Sequence, residues 1–200
     1  MKAGGAVLAL LALAGVGVGG WYAWRSRRST MALLQSAGAS VGGTMGSALS
    51  TASGLLSEHF ALSELVRSED RDTLDPGVRG NLVSLAVHVL EPLRKLWGGS
   101  VKVNSGYRSP EHNSAIGGSS TSQHMTGQAA DIRPSALDGE SAFKALASEV
   151  AAGRLVVDQA IIYASGFLHV SYKDTGGNRL QLLRSYATGG SGGPYVPWTA

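Results

Sequence analysis

Three side chains suited to metal binding stand out in this sequence. His124 and Asp131 lie seven positions apart, with small residues and a glycine between them. His169 follows in the segment FLHVSY at residues 167–172, where alternating apolar and polar residues predict a strand. Two imidazoles and one carboxylate are enough protein ligands for a catalytic zinc, with the fourth position left to water. The small residues allow tight backbone folding, so that His124 and Asp131 can point at one ion. A histidine and an aspartate at this spacing, taken alone, are however more often ordinary polar residues of a loop and of a strand edge.

The flanking segments are more specific than the pair itself. They are SGYRSP at residues 105–110, SQHMTGQAAD at 122–131 and FLHVSY at 167–172, in that order. Over roughly residues 56–183 the chain resembles the M15 family of zinc peptidases, and most closely its small phage-type subgroup. That family contains D-alanyl-D-alanine carboxypeptidases and dipeptidases, and the L-alanyl-D-glutamate endopeptidases of phage endolysins. The resemblance implies a Zn²⁺ ion held by His124, Asp131 and His169, and a peptidoglycan stem peptide as the substrate.

The resemblance also implies two catalytic roles. Arg108 matches a family residue that binds substrate and stabilises developing negative charge, and a guanidinium fork suits a carboxylate or an oxyanion. Ser122, two residues before the first ligand, matches a position that contacts substrate. The structural alternatives are an ordinary ion pair for Arg108 and a turn-capping hydroxyl for Ser122.

One departure from the family concerns the general base. Well-studied members have an acidic residue three positions before the last histidine ligand, and this chain has Gly166 there. The phage subgroup often has a Glu slightly further upstream, where this chain reads YAS at residues 163–165. Asp158 is the nearest upstream acid and our candidate base, with Asp174 next. General-base assistance contributes about 10²–10⁴-fold. We therefore expect reduced activity, a substitute acid, or a domain that binds wall peptide without cutting it.

Composition narrows the function classes further. The 200 residues carry a net charge of +3 and contain no cysteine. This small net charge predicts no nucleic-acid partner. The absence of cysteine excludes disulfides and thiolate ligands, so histidine and carboxylate are the natural metal ligands.

The N-terminus has the character of a membrane segment. Residues 3–24 are uncharged and apolar, long enough to span a bilayer core of about 30 Å, and three arginines follow within residues 25–28. We predict a lipid-bilayer anchor over residues 1–28, with a cleaved signal peptide and secretion as the alternative. The expected location is a host envelope or a viral membrane or virion, with virion proteins as further partners. The arginines favour a cytoplasmic catalytic domain, whereas a wall enzyme needs the opposite orientation or release by lysis.

The rest of the chain predicts one α+β domain. Residues 29–55 are a small-residue tether, residues 56–187 the peptidase domain, and residues 188–200 a Gly- and Pro-rich tail that is either docked or disordered. Apolar spacing predicts helices over 76–96, kinked by Pro92, and over 134–153. Strands are predicted from residue 101 and over 156–163, 167–172 and 179–183. Helices should pack on one side of a small, mainly antiparallel sheet.

Three functional hypotheses follow from these observations. The first is a zinc-dependent peptidoglycan peptidase, phage-derived and membrane-tethered. The second is a catalytically weak or inactive relative that binds peptidoglycan as a structural part of a virion or envelope. The third is an anchor protein whose N-terminal segment does the main work. The missing base weighs against the first hypothesis, and the intact set of zinc ligands weighs against the third.

Overall fold

A computed structural model of the chain describes residues 54–187 and 194–199. The predicted membrane segment at 3–24 and nearly all of the tether lie outside the described residues, as does the stretch 188–193. Among the helices in the described ranges, none is both long enough and apolar enough to cross a membrane.

The helices of the described ranges are short, apart from one long helical run and one helix of thirteen residues. Their bounds are α1 Leu62–Leu65, α2 Pro76–Leu85, α3 Glu91–Trp97, α4 Pro110–Ala115 and α5 Gly139–Ala151, with 3₁₀ turns at Ser68–Asp70 and Gln123–Thr126.

The long helical run comprises α2, a π-helical turn at Ala86–Leu90, and α3. It begins where the Asp75 side chain accepts hydrogen bonds from the backbone N–H groups of Gly77 and Val78. The π turn immediately precedes Pro92, which has no N–H to donate and whose ring crowds the carbonyl four residues earlier. The helical run continues through Pro92 to Trp97, so the helix predicted over 76–96 is not broken there, and its irregularity is a π turn that ends two residues before Pro92. The run ends at Gly98, whose φ of 66° is left-handed.

The second predicted helix starts later than expected. Residue 134 belongs to a strand, and α5 begins at Gly139 because the Asp138 side chain caps it by accepting from the N–H of Ser141 at 2.9 Å. The prediction of a helix from residue 134 was wrong by five residues. Asp138 followed by Gly and Glu was the sequence signal for the true start.

Six strands form one sheet in the order β1-β2-β4-β3-β5-β6. All neighbouring pairs are antiparallel except β3 and β5, which confirms the mainly antiparallel prediction. The sixth strand comes from the C-terminal tail, where Trp198 packs edge-on against Phe143 in the core. The strand bounds are β1 Val101–Ser105, β2 Ala129–Pro134, β3 Gln159–Tyr163, β4 Leu168–Ser171, β5 Gln181–Ser185 and β6 Tyr195–Pro197.

The two faces of this sheet differ in the side chains that they carry. Ile132 and Ile162 lie on either side of Leu168 in neighbouring strands, and all three are buried in the core under the helices. One residue further along each strand the side chain points to the other face. There, Asp131 lies opposite His169. The helix-covered face therefore builds the core, and the opposite face presents the polar residues that the sequence singled out.

Candidate metal centre

The three predicted metal ligands converge on one point. His124 lies in the 3₁₀ turn Gln123–Thr126 that leads into β2, Asp131 lies in β2, and His169 lies opposite it in β4. Their exposed fractions are only 3%, 7% and 9%. Because the β2–β4 register fixes two ligands and a tight turn supplies the third, the site is held by backbone structure.

The donor atoms form a nearly equilateral triangle. Nε2 of His124 lies 3.3 Å from Nδ1 of His169 and 3.3 Å from Oδ1 of Asp131, and the last two atoms are 3.0 Å apart. Tetrahedral zinc with bonds of about 2.0–2.1 Å separates its ligands by about 3.3 Å. The triangle therefore fits zinc with almost no rearrangement.

The ring of His124 is oriented by the backbone. Its Nδ1 lies 2.7 Å from the carbonyl oxygen of Gly106, so Nδ1–H donates and the Nε2 lone pair faces the other ligands. Burial lowers the pKa of His124, against the opposing effect of Asp131, and this favours the neutral ring that a metal requires. This position requires glycine, because a Cβ on residue 106 would lie only 2.3 Å from the carbonyl oxygen of Leu65.

The two oxygens of Asp131 have separate partners. Oδ1 faces both histidines, while Oδ2 accepts a 2.6 Å hydrogen bond from Nη2 of Arg108. The Nε–H of Arg108 in turn donates to the Ser105 hydroxyl at 2.9 Å. Burial would raise the pKa of Asp131, but hydrogen bonds from both histidines hold it well below its usual range. Arg108 is thus a partner of the ligand carboxylate as well as part of the cleft lining.

A cleft opens over the three predicted ligands. Ser122 and Gln123 line it beside His124, and the side chain of Ser122 makes no capping hydrogen bond, so the turn-capping alternative does not hold. Among the described residues that line this cleft, Asp131 is the sole carboxylate.

Asp158, the predicted base, lies apart from this triangle in a cluster of its own. It is fully buried, and its oxygens accept from Arg179 at 2.5–3.1 Å, from Gln123 at 3.1 Å and from Lys173 at 3.1 Å. Burial would raise the pKa of Asp158, but the Arg179 and Lys173 contacts lower it to about 2. Both oxygens are occupied by cations and an amide, so this carboxylate is poorly placed to accept a proton from water.

The second candidate base, Asp174, lies outside the lining of the cleft, as do His59 and His112. His59 pairs with Glu91 at 2.9 Å, and His112 contacts Nη1 of Arg67 at 2.9 Å. Asp174 is exposed in the turn beyond β4.

Sequence reasoning missed several residues of the cleft wall. Lys173 could have been found, because residues 169, 171 and 173 share one face in an alternating strand. Arg179, Tyr163 and Tyr195 also line the cleft, and the hydroxyls of the two tyrosines lie 3.5 Å apart. Their approach depends on the β3–β5–β6 pairing, for which no local signal exists.

An α+β fold that presents two imidazoles and a carboxylate around one point in an open cleft defines a candidate metallohydrolase. A scan against protein-family models matches Peptidase M15 over residues 58–171, which is more than half of the chain. The chain therefore belongs to the peptidase M15 family, as its motifs predicted. No curated protein matches it.

Proposed function

We propose that this chain is a zinc-dependent peptidase that cleaves peptidoglycan stem peptides, of the D-Ala-D-Ala carboxypeptidase or L-Ala-D-Glu endopeptidase type. The observation that carries the proposal is the triangle of donor atoms, with edges of 3.0–3.3 Å, at the floor of a cleft in an M15 peptidase. When bound there by His124, Asp131 and His169, zinc supplies Lewis-acid activation of water and of the peptide carbonyl.

The protein groups around the triangle have distinct roles in this proposal. Arg108 holds Asp131 through Oδ2, so the carboxylate presents Oδ1 to the centre. The guanidinium also faces the cleft, where it can stabilise negative charge that develops on a substrate oxygen. The free hydroxyl of Ser122, next to the first ligand along the cleft, is placed to hydrogen-bond substrate.

General-base catalysis is the weak point of the site. Apart from Asp131, no carboxylate lines the cleft within the described part of the chain, and Asp158 is enclosed by Arg179 and Lys173. We therefore assign Asp158 a structural role and expect turnover below that of members with a base, since such assistance contributes about 10²–10⁴-fold.

The lack of a second carboxylate in the described lining of the cleft also favours a second candidate function. A cleft with metal ligands and substrate-binding groups but no base can hold a stem peptide without cutting it. In that case the chain is a peptidoglycan-binding part of a virion or envelope. Cleavage of any muropeptide by the zinc-loaded protein excludes this alternative.

We also propose that residues 3–24 tether the protein to a lipid bilayer, in a host envelope or a virion, on the basis of their length and lack of charge. Membrane fractionation tests this proposal. The full chain should pellet with membranes and a chain lacking residues 3–24 should not. A soluble mature protein that starts after residue 24 would show instead that the segment is a cleaved signal.

Incubation of the zinc-loaded full chain with muropeptides, analysed by mass spectrometry, tests the enzymatic proposal. We expect slow release of terminal D-Ala or of L-Ala-linked fragments, lost on removal of zinc with a chelator and in the His169→Ala variant. Cleavage that persists in the His169→Ala variant would contradict the assigned centre. No cleavage at any zinc concentration would favour the binding protein.

A further inference from the structure

One wall of the cleft carries two cations for which the proposed reaction has no direct use. Lys173 and Arg179 both line the cleft, and both rest on the buried Asp158. We refer to these two cationic side chains as the cationic wall.

The cationic wall carries more positive charge than the single carboxylate of Asp158 neutralises. One carboxylate is paired with two cations, so the group keeps a net positive charge. Arg179 already donates to Asp158 through its backbone N–H, Nε and Nη2. Within the described residues its Nη1 has no protein acceptor, and the side chains of Lys173 and Arg179 are 34% and 48% exposed. Donor capacity therefore remains available to a ligand in the cleft.

The charges of the whole cleft favour the same kind of ligand. Its charged lining consists of Arg108, Lys173 and Arg179 against Asp131 alone, among the described residues. Asp131 is already paired with Arg108. A cleft with excess positive charge and a partly enclosed wall concentrates anions and discriminates against cations.

The sheet register gives the approximate backbone separation between Asp158, on which the cationic wall rests, and the metal centre. Ile161 lies opposite His169 in the β3–β4 pair, and Asp158 precedes Ile161 by three residues in the same chain direction. Three residues of strand span about 10 Å. An extended peptide covers about 3.3–3.6 Å per residue. A substrate whose scissile bond lies at the metal centre therefore brings a group two or three residues away to the cationic wall.

We infer that Lys173 and Arg179 form a subsite for a free carboxylate of the substrate, two or three residues from the scissile bond. This inference rests on the proposed function and narrows its substrate class to acidic, non-amidated stem peptides. Such peptides carry free carboxylates on D-glutamate and on diaminopimelate, and amidation of either group removes the charge. A neutral amide leaves the excess positive charge of Lys173 and Arg179 uncompensated, and so lowers affinity.

The test uses two matched pairs of stem pentapeptides and the zinc-loaded full chain. One pair differs only by amidation of D-glutamate, and the other only by amidation of diaminopimelate. Binding is measured by calorimetry, so the readout does not depend on turnover. For at least one pair we expect the free acid to bind about three- to tenfold more tightly, as for a partly exposed charged contact.

The variant is Lys173→Met, because it leaves the Arg179–Asp158 pair intact and is therefore expected to fold. It should reduce the preference for the free acid to less than twofold. Lys102→Met, at an exposed position of β1 outside the cleft lining, is the matched control and should keep the full preference. The charge-conserving Lys173→Arg should also keep it.

The outcomes separate this inference from the proposed function. If both pairs bind without preference, or if Lys173→Met keeps the full preference, the subsite is wrong even where the protein cleaves muropeptides. If acidic peptides are preferred through Lys173 but never cleaved, the subsite stands and the enzymatic proposal fails.

Discussion

Two buried carboxylates in this molecule share a lowered pKa and differ in what surrounds them. Asp131 has two imidazoles on one oxygen and Arg108 on the other. Asp158 has Arg179 and Lys173, both strong bases, with an amide of Gln123. An imidazole can give up its proton at neutral pH, so the side of Asp131 that faces the histidines is open to a metal ion. Arginine and lysine stay charged, so Asp158 is closed to one.

Burial and a lowered pKa are shared by the two aspartates, so neither property distinguishes a metal ligand from a carboxylate enclosed by permanent cations. The pKa of each aspartate is lowered in the folded chain, and we expect the type of neighbouring cation to decide between a metal ligand and a structural anchor. Substitution of each aspartate should therefore produce a different loss.

The largest effect is expected from Asp131→Asn. Asparagine keeps the shape and a hydrogen-bond acceptor for Arg108 but removes the negative charge that balances a metal ion. Because changes to outer partners of metal ligands already cost about 10–100-fold, loss of a ligand charge should weaken zinc binding by more than about 100-fold. Competition with a chelating dye measures this affinity. An Asp131→Asn affinity within tenfold of wild type would show that Asp131 is not a ligand.

Asp158→Asn should instead reduce stability and leave zinc affinity nearly unchanged. It removes the charge between Arg179 and Lys173, and breaking a buried ion pair typically costs about 3–5 kcal/mol. Because these cations are partly exposed, we expect about 2–4 kcal/mol at pH 7 by urea unfolding. A change below about 0.5 kcal/mol would contradict the structural role.

The stability difference between wild type and Asp158→Asn should depend on pH. The pKa of Asp158 is lowered from 3.8 to about 2 on folding. Its charge therefore stabilises the fold fully above about pH 4, and this contribution is lost as the pH falls through 2. Urea unfolding of both proteins at pH 7, 4 and 2.5 should show the difference shrinking at the lowest pH. A difference that grows on acidification would have the wrong sign.

Sequence separation decides which of the two carboxylate sites could be predicted. Asp131 and its histidines lie in local motifs, and strand alternation predicts the placement of His169. The strand β2, which carries Asp131, was not predicted. The Asp158 cluster joins residues 15 to 35 positions apart, through the loop after β4 and the parallel β3–β5 pairing. In the sequence Asp158 looks like an unpaired acid, because no local pattern indicates its ion pair with Arg179. The start of α5 is set by the Asp138 cap, which apolar spacing alone does not indicate.

Arg108→Ala tests the outer side of Asp131, with a smaller expected effect. Loss of the 2.6 Å hydrogen bond to Oδ2 frees the carboxylate to rotate, so zinc affinity should fall by about 10–100-fold. Arg108→Lys keeps the charge but loses the guanidinium fork that donates to both Asp131 and Ser105. Its zinc affinity should therefore lie between those of wild type and Arg108→Ala. Equal zinc affinity in all three proteins would confine Arg108 to substrate binding.

The smallest expected effect is a gain. Ala164 is exposed directly after β3, so a longer side chain is accommodated there. Ala164→Glu should raise the rate of muropeptide cleavage by about tenfold, below the full contribution of a well-placed base. Ala164→Gln is the control for size. Gly166 is a poorer position, because its φ of 80° disfavours any side chain. Equal rates in the two Ala164 variants would contradict the missing-base explanation.

The zinc content of the purified full chain, its His124→Ala variant and its Asp158→Asn variant tests the central claim most directly. After dialysis against metal-free buffer, elemental analysis should find about one zinc per chain in wild type and in Asp158→Asn, and almost none in His124→Ala. No zinc in the wild type, or equal zinc in wild type and His124→Ala, would contradict the metal centre described here.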